Sequence, residues 1–177
     1  KFHKPLIIAE IGLSHNGNMK KALDLIYLSK ESGADIVKFQ SHFAIYESIF
    51  DEPFRVKISN KYKIRYDYWK KTEFTEKQWK KIIQFCKKIK IIFATSPFSV
   101  EAVKIMRNLG WKNWKIGSGE VTNFLILEKI AQTGKPVILS SGMSSYAELD
   151  KTVDFLKERK VDFSILQCTT AYPTMPE

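Results

Sequence analysis

The chain of 177 residues carries 29 Lys and Arg against 19 Asp and Glu, a formal net charge of +10, and 44% of its residues are hydrophobic. That length can bury a sizeable core. The absence of any run of about 18 apolar residues excludes a membrane-spanning helix, and two cysteines, Cys86 and Cys168, exclude a disulfide framework and show no zinc spacing to the histidines.

The positive charge does not by itself point to nucleic acid. Lys77, Lys80, Lys87 and Lys88 fall where a helix surface is expected, and a solvated face accounts for them. The opening residues 1–10 carry too short an apolar run for a signal peptide and end on a carboxylate; with only Cys86 and Cys168, a reduced, cytoplasmic setting is expected.

In chain order, a short apolar run at 6–11 ends on Glu10, and a helical pattern at 20–32 is closed by Gly33. The second run, 36–40, carries Lys38 and Gln40. Segment 41–75 then follows, aromatic and charged, and long for a connection between a strand and a helix. It reads either as a loop folded over the active face or as an excursion that packs against the outside or contacts another subunit. A helix at 76–88 leads to the run 90–96, with Thr95 and Ser96 at its end, and a helix at 100–109 is closed by Gly110. The run 114–117 carries Lys115 and leads to Ser118 and Glu120. Helix 124–133 ends at Gly134, run 136–141 ends on Ser140 and Ser141, and helix 146–158 leads to run 163–168 with Thr169, Thr170 and Tyr172 beyond it. Ser99, Asn123 and Ser145 stand where helices begin and are suited to cap them. The glycines stand where helices end in a left-handed residue.

Strands and helices alternating at this spacing predict a parallel sheet, with strands apolar on both faces because both are covered. No glycine-rich dinucleotide fingerprint follows the first run. Polar residues instead recur at nearly every strand end, as expected of a (β/α)8 TIM barrel, whose active site gathers the carboxyl ends of all its strands. About six of the eight units fit, so the expectation is one domain, residues 1–177, of a barrel truncated after its sixth strand.

The strand ends offer a chemistry. Lys38 and Lys115 beside hydroxyls can hold a phosphate and a carboxylate, while Glu10 and Glu120 can bind sugar hydroxyls or move protons. Each residue also has a plainer reading: either lysine as half of a structural ion pair, Ser140 and Ser141 as helix-starting serines, His15 and His42 as loop histidines. A strand-end lysine could also form a Schiff base. The three histidines, His3, His15 and His42, all lie in the first third, which argues against a Ser-His-Asp triad, and no metal cluster is recognisable.

These motifs resemble the sialic acid synthase family. Ile8-Ala9-Glu10-Ile11-Gly12 followed by His15-Asn16-Gly17 is similar to the family's opening, and Gly33-Ala34-Asp35 leading to Val37-Lys38-Phe39-Gln40 to its second strand. Thr95-Ser96-Pro97-Phe98, Trp114-Lys115-Ile116-Gly117-Ser118-Gly119-Glu120, the stretch from Gly134 to Met143, and Cys168-Thr169-Thr170-Ala171-Tyr172-Pro173-Thr174 resemble the third to sixth. The resemblance implies a (β/α)8 synthase that condenses phosphoenolpyruvate with an N-acetylated amino sugar, using Mn2+ or Mg2+ as a Lewis acid. It implies that Lys38, Ser96, Lys115, Ser118 and Ser140 hold phosphoenolpyruvate with support from Gln40, that Glu10 holds sugar hydroxyls, that Glu120 acts as acid or base, and that Tyr172 lines the sugar side.

It further implies metal ligands beyond residue 177, a small C-terminal antifreeze-like domain that reaches into a partner's active site, a homodimer when full length, and a fragment that is inactive alone. Thr170 departs from the Asn of several relatives. The motifs at Glu10 and Glu120 look closer to the neuraminic and legionaminic acid branches than to the pseudaminic acid branch. The alternatives are another phosphoenolpyruvate-dependent 3-deoxy-sugar-acid synthase or aldolase-type barrel, and an inactive barrel that binds a sugar or a partner.

Overall fold

A computed structural model describes residues 4–54, 60–171 and 174–175. The chain runs β1 (Ile8–Gly12), α1 (Met19–Glu31), β2 (Ile36–Ser41), α2 (Arg65–Thr72), α3 (Glu76–Lys88), β3 (Ile92–Pro97) and α4 (Val100–Asn108). It continues with β4 (Trp114–Ile116), α5 (Phe124–Ala131), β5 (Val137–Ser140), α6 (Tyr146–Glu158) and β6 (Phe163–Leu166). Short 3-10 turns occupy Ala44–Tyr46 and Ser118–Glu120. The strands form one parallel sheet in the order β1-β2-β3-β4-β5-β6. A sheet that adds each new strand beside the last, with helices between, is consistent with the first six units of a TIM barrel.

Side-chain alternation sorts the strand residues. Val37, Phe39, Phe93, Trp114, Ile116, Val137 and Leu139 are buried in one core with Ile26, Trp79, Ile82, Met106, Ile126, Leu127, Ile130 and Leu156 from the helices. Phe39 meets Trp79 edge-on, with ring centroids 5.8 Å apart at 89°. Fully burying each such side chain contributes about 1.5–3 kcal/mol, and this layer holds the helices on the sheet. The alternate residues, Glu10, Lys38, Gln40, Ser96, Lys115 and Ser140, are left for the opposite face, where the site lies.

The anticipated caps form. Ser99 accepts from Ala102 N, Asn123 from Ile126 N, and Ser145 builds a capping box with Glu148. Gly33, Gly110 and Gly134 follow α1, α4 and α5 with φ of +86°, +79° and +61°. At the ends of α3 and α6 the same conformation is taken by Lys90 (φ +56°) and Lys160 (φ +54°), which sequence gave no reason to expect.

The long connection after β2 contains a helix, α2, that the sequence reading left as loop. Its place is set by packing. Trp69 of α2 stacks on His42, just beyond β2, with centroids 4.1 Å apart, and Ala44 N donates to Glu73 Oε2 at 2.8 Å. Gly17, in the loop after β1, lies against the same helix: with φ at +71°, a Cβ there would sit 2.0 Å from the Lys71 carbonyl oxygen. The connection therefore folds across the carboxyl ends of β1 and β2 rather than down the outside. Gly17→Ala is expected to cost about 2–4 kcal/mol, because both the left-handed backbone and the backbone contact must give way. Urea melts check this, and a loss within 0.5 kcal/mol, roughly that of an ordinary surface substitution, would refute the contact.

Candidate functional site

On the face opposite the packed helices, three strands converge. Register sets Glu10 of β1 beside Lys38 of β2, with an irregularity in the pairing between Glu10 and Gly12. Lys38 Nζ lies 2.6 Å from Glu10 Oε2, and Lys115 Nζ of β4 lies 3.4 Å from Glu10 Oε1. Lys115 Nζ also donates to Ser140 Oγ of β5 at 2.9 Å. One carboxylate is thus shared by two ammonium groups. The lysine side chains are 8% and 13% exposed and the Glu10 side chain 49%, so the cations sit deeper than their counter-charge. Burial pulls the Lys38 pKa down, opposed by the Glu10 charge and hydrogen bond and assisted by Lys115. Toward the strands' amino ends the lysines border a cavity of about 270 Å³ lined by Ile8, Ile36, Ile92 and Ile138.

Gln40 pairs with Ser96 across β2 and β3, and a side chain at Gly12 would meet Gln40 Oε1 at 3.4 Å. Ser96 Oγ is buried and has no hydrogen-bond partner among the described residues. A buried hydroxyl left unpaired costs about 1–3 kcal/mol, so an orphan beside this cluster marks a place for a ligand atom or a water. Thr95 does not belong to the site. Its Oγ1 donates to Ser41 Oγ at 3.1 Å on the helix-packed side, because neighbouring strand residues point to opposite faces. Ser141 likewise turns away, its Oγ donating to the Leu166 carbonyl at 3.1 Å.

Ser118 and Thr170 meet at one residue. Ser118 Oγ accepts from Gly142 N at 3.1 Å, and Thr170 Oγ1 donates to the Gly142 carbonyl at 3.3 Å. Glu120 stands apart from the ion cluster. It ends the 3-10 turn after β4, and its Oε2 accepts from Asn123 Nδ2 at 2.8 Å. Burial raises its pKa against the lowering effect of Asn123, with the Glu47 charge adding to the rise and His42 opposing it. Such a carboxyl holds its proton more readily than a surface glutamate. Tyr172 lies outside the described residues.

The two described histidines are buried. His15 accepts from Gly17 N through Nδ1 at 3.0 Å and stacks on Phe74, and burial lowers its pKa to about 4, which suits a neutral structural ring. His42 lies between Trp69 and Phe98, with both centroid distances 4.1 Å, and its Nδ1 is 2.5 Å from Glu47 Oε2. The sequence reading passed over this pair. A histidine two residues after Gln40, continuing the alternation that puts Lys38 and Gln40 on the site's face, was the available signal.

Among the described residues no group of three or more His, Cys, Asp or Glu is arranged to hold a metal ion. No described helix is long and apolar enough to cross a membrane.

The "NeuB family" model matches residues 25–177. The chain is 38% identical to the N,N'-diacetyllegionaminic acid synthase of Campylobacter jejuni, over 96% of this chain and 53% of that protein. It is 34% identical to the human N-acetylneuraminate-9-phosphate synthase, over 99% of this chain and 49% of that protein. Among solved structures, the N-acetylneuraminic acid (sialic acid) synthetase from Leptospira borgpetersenii, in complex with citrate, superposes with a TM-score of 0.81 at 28% identity, covering 97% of this chain and 57% of the other. The chain spans about half the length of the curated relatives it matches.

Proposed function

The chain belongs to the NeuB family, and from that premise we propose that the full-length protein condenses phosphoenolpyruvate with N-acetylmannosamine or a related diacetamido sugar. The products are a nonulosonic acid of the sialic acid type and phosphate. The observation that carries this reading is the Lys38–Glu10–Lys115 cluster, in which two buried ammonium groups share one half-exposed carboxylate. That surplus of positive charge, at the open ends of the strands and beside the unpaired hydroxyl of Ser96, suits a small dianion.

In this reading Lys38, Lys115, Ser96, Ser118 and Ser140 hold phosphoenolpyruvate, with Gln40 in support. Glu10 turns its exposed edge to sugar hydroxyls, while Thr170 and Tyr172 line the sugar side. The enol carbon of phosphoenolpyruvate attacks the open-chain aldehyde carbon, and the aldehyde oxygen takes the proton of the Glu120 carboxyl. Water then adds to the oxocarbenium carbon and gives its proton to the Glu120 carboxylate, which restores the acid. The resulting tetrahedral centre then collapses: its bond to the phosphate oxygen breaks, the new hydroxyl becomes the ketone carbonyl, and the hydroxyl proton leaves with the phosphate. Holding both substrates in one orientation supplies much of the rate.

The test is phosphate release by the full-length protein. Release with phosphoenolpyruvate and N-acetylmannosamine or a diacetamido sugar, and not with a sugar phosphate, is the expected result. Release only with a sugar phosphate would make the protein a 3-deoxy-sugar-acid synthase instead. Ligand binding without release from any acceptor would identify an inactive barrel. Sedimentation of the same protein is expected to give a dimer.

A further inference from the structure

Asn123 is tied to Glu120 twice. Its backbone N donates to the Glu120 carbonyl at 3.0 Å, and its side-chain Nδ2 donates to Glu120 Oε2 at 2.8 Å. The same side chain caps α5, with Oδ1 accepting from Ile126 N at 3.3 Å. A carboxamide has one accepting end and one donating end. With the oxygen committed to the helix, the nitrogen is the end left to face the carboxyl, so the cap sets the direction of the second bond. The support behind it is firm. Val121 is buried in the core and its carbonyl accepts from Thr152 Oγ1 of α6 at 2.9 Å, while Ile126, Leu127 and Ile130 anchor α5.

This arrangement has a chemical consequence for the carboxyl. The Nδ2–H points at Oε2, and a proton on that oxygen would set two hydrogens against each other. The neutral acid therefore carries its proton on Oε1. In the ionised form the same N–H steadies the negative charge on Oε2.

We infer that Asn123 is a positioning residue for Glu120: its amide, turned by the helix cap, holds Oε2 in place and assigns the transferable proton to Oε1. The inference rests on the role given to Glu120 above. It agrees with the balance at this carboxyl, where burial favours the protonated form and the Asn123 hydrogen bond opposes it. Two other titratable groups bear on Glu120, namely Glu47 and His42, which pair with each other at 2.5 Å. Neither is altered in the variants below. The plainer reading is that Asn123 only caps α5, and side chains that cap without donating separate the two.

The experiment is a ¹³C NMR titration of the Glu120 carboxyl in the full-length protein, its signal identified by its loss in Glu120→Gln, together with steady-state rates across pH. Serine and aspartate cap as well as asparagine, but neither offers an N–H to Oε2. Asn123→Ser should keep its melting temperature and raise the Glu120 midpoint, because the ionised form loses its donor. It should lower kcat about 10-fold while leaving the KM for phosphoenolpyruvate near wild type, since the bond acts on the acid and not on the anion. Asn123→Asp sets a second carboxyl where the amide stood and should raise the midpoint further. A residue that only caps would leave midpoint and kcat unchanged in both variants, and either result would overturn the inference. If Asn123→Ser fails to fold, Asn123→Asp decides alone: a raised midpoint supports the pairing and an unmoved one overturns it. The midpoint is read without turnover, so a wild-type protein that releases no phosphate would defeat the proposed function and still leave the Asn123 bond open to this test.

Discussion

Glutamine in place of Glu120 is expected to reduce turnover of the full-length protein by about 100-fold or more, the usual contribution of a positioned acid or base, with the melting temperature within a few degrees of wild type. The side chain is half-buried and makes one hydrogen bond to Asn123, whose Nδ2 can donate equally well to a glutamine oxygen. Little packing is lost; what goes is the exchangeable proton. The effect on stability has a definite sign. Because burial raises the folded pKa of Glu120 above its unfolded value, its contribution is fully present below the unfolded pKa and is lost as pH rises through the folded one. The variant carries no such loss, so at neutral pH and above it should be as stable as wild type or slightly more so. Steady-state rates and thermal melts across pH check both halves. A variant keeping more than about a tenth of the wild-type rate, less than roughly 1.4 kcal/mol of barrier, would remove Glu120 from the chemistry.

Lys38→Met is expected to lower kcat/KM for phosphoenolpyruvate on the order of 100-fold, as loss of a charged hydrogen bond to an anion should. Methionine matches the length of the lysine stem, and Glu10 keeps its second cation, Lys115, at 3.4 Å. The fold should therefore hold. Burial depresses the Lys38 pKa, so the folded state carries a cost while that lysine is charged, and the cost is relieved as pH rises through the folded value toward 10.5. Wild type should gain stability over that alkaline window and Lys38→Met should not. Glu10→Gln is the informative contrast: it leaves two buried ammonium groups without a counter-charge and should destabilise the protein more than Lys38→Met does. If Lys38→Met alters neither the KM for phosphoenolpyruvate nor its calorimetric affinity, the cluster is a structural ion pair and the anion binds elsewhere.

The alternation of strands and helices was legible because it is written in local periodicity. The helices at Glu76–Lys88 and Tyr146–Glu158 fall where the apolar spacing places them, and Ser99, Asn123 and Ser145 cap as their chemistry suggests. Helix α2 was not legible. Arg65–Thr72 is polar and charged with no apolar stripe, and it is held by Trp69 on His42 and by Glu73 on the Ala44 amide, contacts the periodicity of eight residues cannot announce. Lys90 and Lys160 in left-handed conformations escaped for a related reason: lysine carries no local signal for a turn that glycine usually makes.

By itself the sequence determined which residue types stand at the strand ends, because strand, turn and helix are decided by near neighbours. Only the tertiary structure decided which of them meet. Glu10, Lys38 and Lys115 come from three different strands and share one charge cluster, while Glu120, five residues beyond Lys115, falls outside it beside Asn123. Thr95 and Ser96 are adjacent in the chain yet face opposite sides of the sheet. An ion pair or a shared hydroxyl depends on ångström distances between strands brought together by the packed layer behind them, and no local pattern encodes those distances.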